Sequence, residues 1–146
     1  MSYWDTSCLL KLYVAEPDSA LFEAHALAAH PLMSSEIARF ELWTALRRKE
    51  AEGRIAPDAA AALFRCFETD CRTGEIVLVP IDEEVRSGFD AIVGNCHGQS
   101  PPIFIRTLDA IHLASARAAG EAEIVTTDLR LRDAAIFEGF DVFPPP

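Results

Sequence analysis

The sequence predicts an α/β fold with a mainly parallel sheet. Short apolar, β-branched or aromatic runs alternate with longer stretches of helical periodicity along the whole chain. The clearest strand, IVLVPI at 76–81, lies between two helical stretches. Glycine and proline fall at the joins, as at Gly53, Pro57 and Gly120. No internal repeat, low-complexity segment or linker interrupts the alternation, so residues 1–146 are expected to form one domain.

In order, residues 2–4 predict a short strand. Residues 6–15 predict a helix, with Leu9, Leu10, Tyr13 and Val14 at near-helical spacing. Pro17 and Asp18 punctuate, and a second helix is expected over 19–29. Residues 31–34 suit a strand. Ser35 then opens a long helix, SEIARFELWTALRRKEAEG, with Gly53 as its stop. Pro57 and Asp58 start an alanine-rich helix that ends near Gly74. After the strand at 76–81, residues 82–96 are helical and 97–102 form a loop. A helix over 107–119 is closed by Gly120, followed by a strand over 123–127, a helix over 129–137 and a last strand over 140–143. The three terminal prolines end the pattern.

Composition narrows the function classes. Half of the residues are hydrophobic and a quarter charged, a globular rather than a disordered balance. No apolar run approaches the ~18 residues of a membrane span. The N-terminus lacks the basic, apolar and small-residue sequence of a secretory signal, so a cytoplasmic location is expected. The four cysteines form no C-x-x-C pair and no zinc spacing; Cys8 and Cys66, among apolar residues, are expected to be reduced and buried. A net charge of −10 argues against a simple nucleic-acid-binding module, though not against an enzyme whose acids hold cations. Glycine-rich phosphate loops, dinucleotide fingerprints and the G-x-S-x-G elbow are all missing.

Four acids stand in apolar surroundings: Asp5, Glu41, Asp109 and Asp128. Asp5 and Asp128 each precede a predicted helix and suit N-caps; Asp109 lies in a first turn after a possible Thr107 cap. Glu41 has no such role, for it lies mid-helix between Phe40 and Leu42, with Ile37 and Ala45 on its face. Two of the four fall at the carboxyl ends of predicted strands, where ligands bind in parallel sheets. Such a set suits hard cations such as Mg²⁺ or Mn²⁺, which lower the pKa of a bound water and neutralise phosphoryl charge. Without cations, clustered carboxylates repel each other. His112, three residues after Asp109, is expected to be a packed or hydrogen-bonded histidine.

The segments WDTSCLLKLYVAE, SSEIARFELWTALRRK, TLDAIHLASARAAG and IVTTDLRL together resemble the PIN-domain family, specifically the small VapC-type toxins of toxin–antitoxin pairs. The resemblance covers nearly the whole chain. It implies an α/β/α sandwich around a mainly parallel sheet of four to five strands, and a metal-dependent endoribonuclease leaving 5′-phosphates. It also implies that Asp5, Glu41 and Asp109 form the core of a Mg²⁺ or Mn²⁺ site, completed by Asp128 directly or through water. Thr6, in a D-T-S pattern, is then expected to orient Asp5, with Ser7 and Thr127 acting similarly. Family resemblance further implies a homodimer and a cognate antitoxin that blocks the site.

An acidic chain that cleaves RNA needs local cations for the phosphates. Lys11, Arg130 and Arg132 follow site residues and are candidates, while Arg47, Arg48 and Lys49 are placed to support a helix C-terminus. Trp4, Phe40 and Trp43 are expected in the core rather than as stacking platforms. Two rival readings stand beside the nuclease. One is a non-catalytic PIN-like module that binds RNA or protein. The other is a phosphatase with Asp5 as nucleophile, which Ser7 disfavours by standing where such enzymes carry a second aspartate.

Overall fold

A computed structural model of the chain describes residues 1–145. Five strands and seven helices follow one another as β1 (Tyr3–Trp4), α1 (Thr6–Leu10), α2 (Ser19–Ala28), β2 (Leu32–Ser35), α3 (Ala38–Ala51) and α4 (Ala59–Thr73). They continue as β3 (Ile76–Val79), α5 (Glu83–His97), α6 (Thr107–Ala118), β4 (Glu123–Val125), α7 (Leu129–Phe137) and β5 (Asp141–Phe143). The strands form one sheet in the order β3-β2-β1-β4-β5, and every neighbouring pair is parallel.

The two residues of β1 show why the sheet has helices on both faces. Side chains alternate along a strand. Tyr3 therefore enters one core, with residues of α5, α6 and α7, and Trp4 enters the other, with residues of α1, α2, α3 and α4. Both are fully buried. Register carries the alternation across the sheet: Tyr3 lies beside Ile124 and Trp4 beside Val125, each in the same core as its neighbour. A parallel sheet covered on both sides needs such apolar strands.

From β1 the chain proceeds to β2 and β3 on one side and later to β4 and β5 on the other. The connections therefore diverge between β1 and β4, and a crevice opens at the carboxyl ends of these two strands. Asp5 follows β1 directly, and Asp128 lies three residues beyond β4.

Several boundaries differ from the sequence expectation, each for a physical reason. The first helix stops at Leu10 rather than near Ala15, because the Ser19 hydroxyl donates to the Lys11 carbonyl at 2.8 Å and accepts from the Glu16 amide at 2.9 Å. Ser35 ends β2 instead of opening α3. The parallel ladder runs on past it, with the Glu36 amide donating to the Val79 carbonyl, and Ser34 is buried with its hydroxyl on the Trp4 carbonyl. β3 stops at Val79, since Pro80 has no amide to offer. Thr107 is the first residue of α6, and its cap position belongs to Arg106. The glycines after α4 and before β4 do act as stops: Gly74 and Gly120 have φ of 86° and 72°, which side-chain-bearing residues adopt at a cost.

Some burial expectations also change. Cys8 is buried but Cys66 is exposed. Trp4 is a core residue, whereas Phe40 is 65% exposed and Trp43 half-covered against Phe64. No helix among the described residues is long and apolar enough to cross a membrane.

Candidate active site

Asp5 is buried where β1 meets α1, and three donors hold its carboxylate. Oδ1 accepts the Cys8 amide and the Ser7 hydroxyl, both at 2.8 Å, and Oδ2 accepts the Thr126 hydroxyl. The amide contact is an N-cap, so the side chain that lines the crevice also caps α1. Ser7 contacts Asp5 directly. Thr6 does not, because its hydroxyl donates to Glu41 Oε1 at 2.8 Å. Thr127 is exposed, and the contact expected of it belongs to its neighbour Thr126. The sheet register explains the exchange. Trp4 lies beside Val125, so the next residues, Asp5 and Thr126, are adjacent as well. Thr126 also accepts the Asp128 amide at 3.1 Å and so links two of the acids.

Glu41 projects toward α6 from the first turn of α3 rather than from mid-helix as expected, because β2 takes Ser35 and α3 starts only at Ala38. Its Oε1 is 2.7 Å from His112 Nε2. A carboxylate only accepts, so Nε2 carries the proton of that contact, and the Tyr3 hydroxyl, with its own proton, lies 2.8 Å from Nδ1. Burial pushes the Tyr3 phenol up, which keeps that proton in place. The result is a buried chain from Tyr3 through His112 to Glu41, with Thr6 on the same oxygen. Burial by itself would raise the Glu41 carboxyl. The hydrogen bond and charge of His112, then the Thr6 contact and the charge of Arg106, outweigh it and hold the carboxyl below its ordinary value.

Asp109 and Asp128 share one partner. Arg106 Nε donates to Asp109 Oδ2 at 2.6 Å, and Nη2 donates to Asp109 Oδ1 at 3.2 Å and to Asp128 Oδ2 at 2.5 Å. Asp128 Oδ1 caps α7 through the amides of Arg130 and Leu131. Burial would raise Asp128, but Arg106 and the two amides hold it below its ordinary value. The hydrogen bonds to Asp109 and Asp128 in turn push the Arg106 guanidinium up. The pairing of Arg106 with Asp109, three residues apart, is visible in the sequence as a helical contact. Its reach to Asp128, 22 residues away, is not.

These side chains line one cavity of about 130 Å³: Asp5, Thr6, Ser7, Glu41, Arg106, Asp109, His112, Asp128 and Leu131. A larger apolar groove of about 590 Å³ lies at the amino ends of β2 and β3, lined by residues such as Leu12, Leu27 and Ile76. Its volume is greater, but the four acids converge on the small cavity, and converging charge rather than volume is what phosphodiester chemistry requires. As the side chains stand, no three His, Cys, Asp or Glu among the described residues are grouped to share an ion. Their oxygens face the donors just named, the Arg106 guanidinium foremost. By donor type, however, four hard carboxylates around one cavity suit a hard divalent cation.

The other basic candidates fall in different places. Lys11 is buried, and its ammonium is held by Glu16 and Asp18, each at 2.8 Å, so it is not available to a phosphate chain. Arg132 donates to the Thr126 carbonyl at 3.1 Å and braces the end of β4. Arg130 is exposed beside Asp128. Arg47 and Lys49 pair with Glu50 and Glu16.

Comparison with known proteins identifies the family of the chain. The chain is 33% identical over 145 residues to Ribonuclease VapC46 of Mycobacterium tuberculosis, covering 98% of this chain and 96% of the relative. It is 30% identical over 141 residues to Ribonuclease VapC35 of the same species, covering 92% and 90%. Among solved structures, FitAB bound to an IR36 DNA fragment superposes with a TM-score of 0.70 at 20% identity, covering 98% of this chain and 94% of that one. VapC20 of Mycobacterium tuberculosis, described as a toxin cleaving the sarcin–ricin loop, superposes with a TM-score of 0.66 at 17% identity, covering 92% and 95%. The PIN domain signature matches residues 2–136. With its all-parallel sheet, its four acids at one crevice and these relatives along nearly its full length, the chain belongs to the PIN-domain family and has the VapC ribonucleases among its homologues.

Proposed function

We propose that this chain is a divalent-metal-dependent endoribonuclease of the VapC type, kept in check by a cognate antitoxin. One observation carries the reading: carboxylates from four separate segments converge on one cavity at the sheet's carboxyl edge, with a single guanidinium among them. Asp5, Glu41 and Asp109 would hold Mg²⁺ or Mn²⁺, with Asp128 completing the set directly or through water. Bound there, the ion supplies Lewis-acid activation of water and neutralises charge on the phosphoryl oxygens.

The protein's own contribution is orientation. Ser7, Thr126 and the Cys8 amide fix the Asp5 carboxylate, and His112 and Thr6 fix Glu41. Rigid partners of this kind hold acids close together in spite of their mutual repulsion. Exposed Arg130, beside Asp128, is placed to meet the RNA backbone. The solved relatives FitAB and VapBC2 of Rickettsia felis, both described as bound to DNA fragments, support a two-component arrangement with an antitoxin for this chain also. A homodimer of one-domain subunits, acting on RNA in the cytoplasm, completes the reading.

Calorimetric titration of Mn²⁺ into the wild type and Asp5→Asn tests it, with cleavage of total RNA followed in parallel. The wild type is expected to bind metal and release fragments with 5′-phosphates. Asp5→Asn is expected to fold but to lose both. Absence of metal binding and of cleavage in the wild type would reduce the four acids to caps and surface charges.

A further inference from the structure

We propose that Arg106 is a ligand for the RNA phosphate, held by Asp109 and Asp128 until a divalent cation takes over their charge. This rests on the metal-site reading above and deepens it by naming the residue that couples metal to substrate.

Arg106 is the only arginine or lysine lining the cavity among the described residues, the other nitrogen base there being His112 on Glu41. It shares the cavity with four carboxylates, whose charge exceeds what one guanidinium can offset. Three of the oxygens it contacts belong to residues assigned to the ion: Asp109 Oδ1, Asp109 Oδ2 and Asp128 Oδ2. A divalent ion and the guanidinium therefore compete for the same acceptors. The ion carries twice the charge and prefers hard oxygens, whereas the guanidinium sits on a long, rotatable stem.

Displacement leaves the guanidinium close by. The Arg106 side chain is 50% exposed, against 11% for Asp109, so it stands at the open side of the cavity with room to turn outward. A phosphodiester approaching the acids arrives at that side. Guanidinium presents paired donors to a phosphate as it does to a carboxylate. Four other cations are engaged elsewhere: Lys11 with Glu16 and Asp18, Lys49 with Glu16, Arg47 with Glu50 and Arg132 on the Thr126 carbonyl; Arg130 is exposed but does not line this cavity. On a chain of net charge −10, a cation released at the site itself meets the need for a local phosphate contact. The exchange also makes metal and RNA binding mutually reinforcing, since each relieves the cost of the other.

The test compares wild type, Arg106→Gln and Arg106→Lys in two measurements. Calorimetry with Mn²⁺ alone reads the competition. Steady-state cleavage of a short single-stranded oligoribonucleotide reads the phosphate contact through KM. Arg106→Gln is expected to bind Mn²⁺ about 5–150-fold more tightly, the range of ordinary coupling energies. Its KM is expected to rise about 10–100-fold, as for loss of a charged hydrogen bond. Arg106→Lys keeps a competing cation without the paired donors. Its Mn²⁺ affinity should stay near wild type and its KM fall between the other two. It also serves if the glutamine variant does not fold. A purely structural arginine would not move the two readings in opposite directions. Mn²⁺ binding to Arg106→Gln that is equal to or weaker than wild type overturns the proposal and leaves the metal site standing, as does an unchanged KM. No Mn²⁺ binding by any of the three proteins overturns the nuclease reading and the proposal with it.

Discussion

Thr126→Val removes one hydroxyl and leaves the side-chain shape nearly unchanged. Thr126 is fully buried, so water cannot replace what is lost. The hydroxyl donates to the Asp5 carboxylate, itself only 5% exposed, and accepts the Asp128 amide at 3.1 Å. A hydrogen bond to a charged group is worth about 1.5–3 kcal/mol, and a part-buried amide left without a partner costs roughly a further 1 kcal/mol. The added methyl group recovers part of this through burial. The net loss is expected to be about 1.5–3 kcal/mol, or a fall in Tm of roughly 4–12 °C for a chain of this size. Urea denaturation of the metal-free protein measures it without any contribution from the site's ligand. Thr127→Val is the internal control, because Thr127 is exposed and its replacement should stay within about 0.5 kcal/mol of wild type. Equal effects of the two substitutions, or a Thr126→Val loss below about 0.5 kcal/mol, would refute the assigned register and the role of Thr126 in holding Asp5.

Two other substitutions probe the surroundings of the site. His112→Ala cuts the chain from Tyr3 to Glu41 and is expected to weaken Mn²⁺ binding about 10–100-fold, as for loss of a partner that orients a ligand; unchanged affinity by calorimetry would show that Glu41 needs no such support. Lys11→Met should leave RNA cleavage unchanged while altering how stability depends on pH. The Lys11 hydrogen bond first, and then Lys49, hold the Glu16 carboxyl below its ordinary value despite burial. A depressed acid contributes stability above its unfolded pKa and loses it as pH falls through the folded value. Wild-type stability should therefore decline as pH drops below about 4.5, the ordinary Glu16 value, and this decline should be shallower in Lys11→Met when unfolding is followed between pH 7 and pH 3. A parallel loss in both proteins would contradict the pairing.

The local units were legible in the sequence because their signals are local. Alternating apolar runs, the glycine stops at Gly74 and Gly120 and the acids before α1 and α7 all act over a few residues, and each appears where the pattern places it. Boundaries were less legible where a distant group intervenes. Ser19 ends α1 from eight residues away by taking the Lys11 carbonyl, and the ladder between β2 and β3 draws Ser35 out of α3. Lys11 looked like a free cation beside the site, but Glu16 and Asp18 fold back onto it within the same turn.

Sequence alone determined the chemistry available to this protein: an α/β chain with hard carboxylates at Asp5, Glu41, Asp109 and Asp128, and the order in which they arrive. Tertiary structure alone decided which groups govern those acids. Thr126 rather than Thr127 meets Asp5 because adjacent strands pair in one register, and a one-residue shift turns a side chain to the other face. His112 meets Tyr3, 109 residues away, because α6 packs over the face of β1 that Tyr3 enters. Arg106 spans Asp109 and Asp128 because α6 and α7 begin beside the same crevice. The acids can be read along the chain because each marks its own turn or helix. Their partners cannot, because hydrogen bonds act over about 3 Å and only the packed sheet brings such distant residues that close.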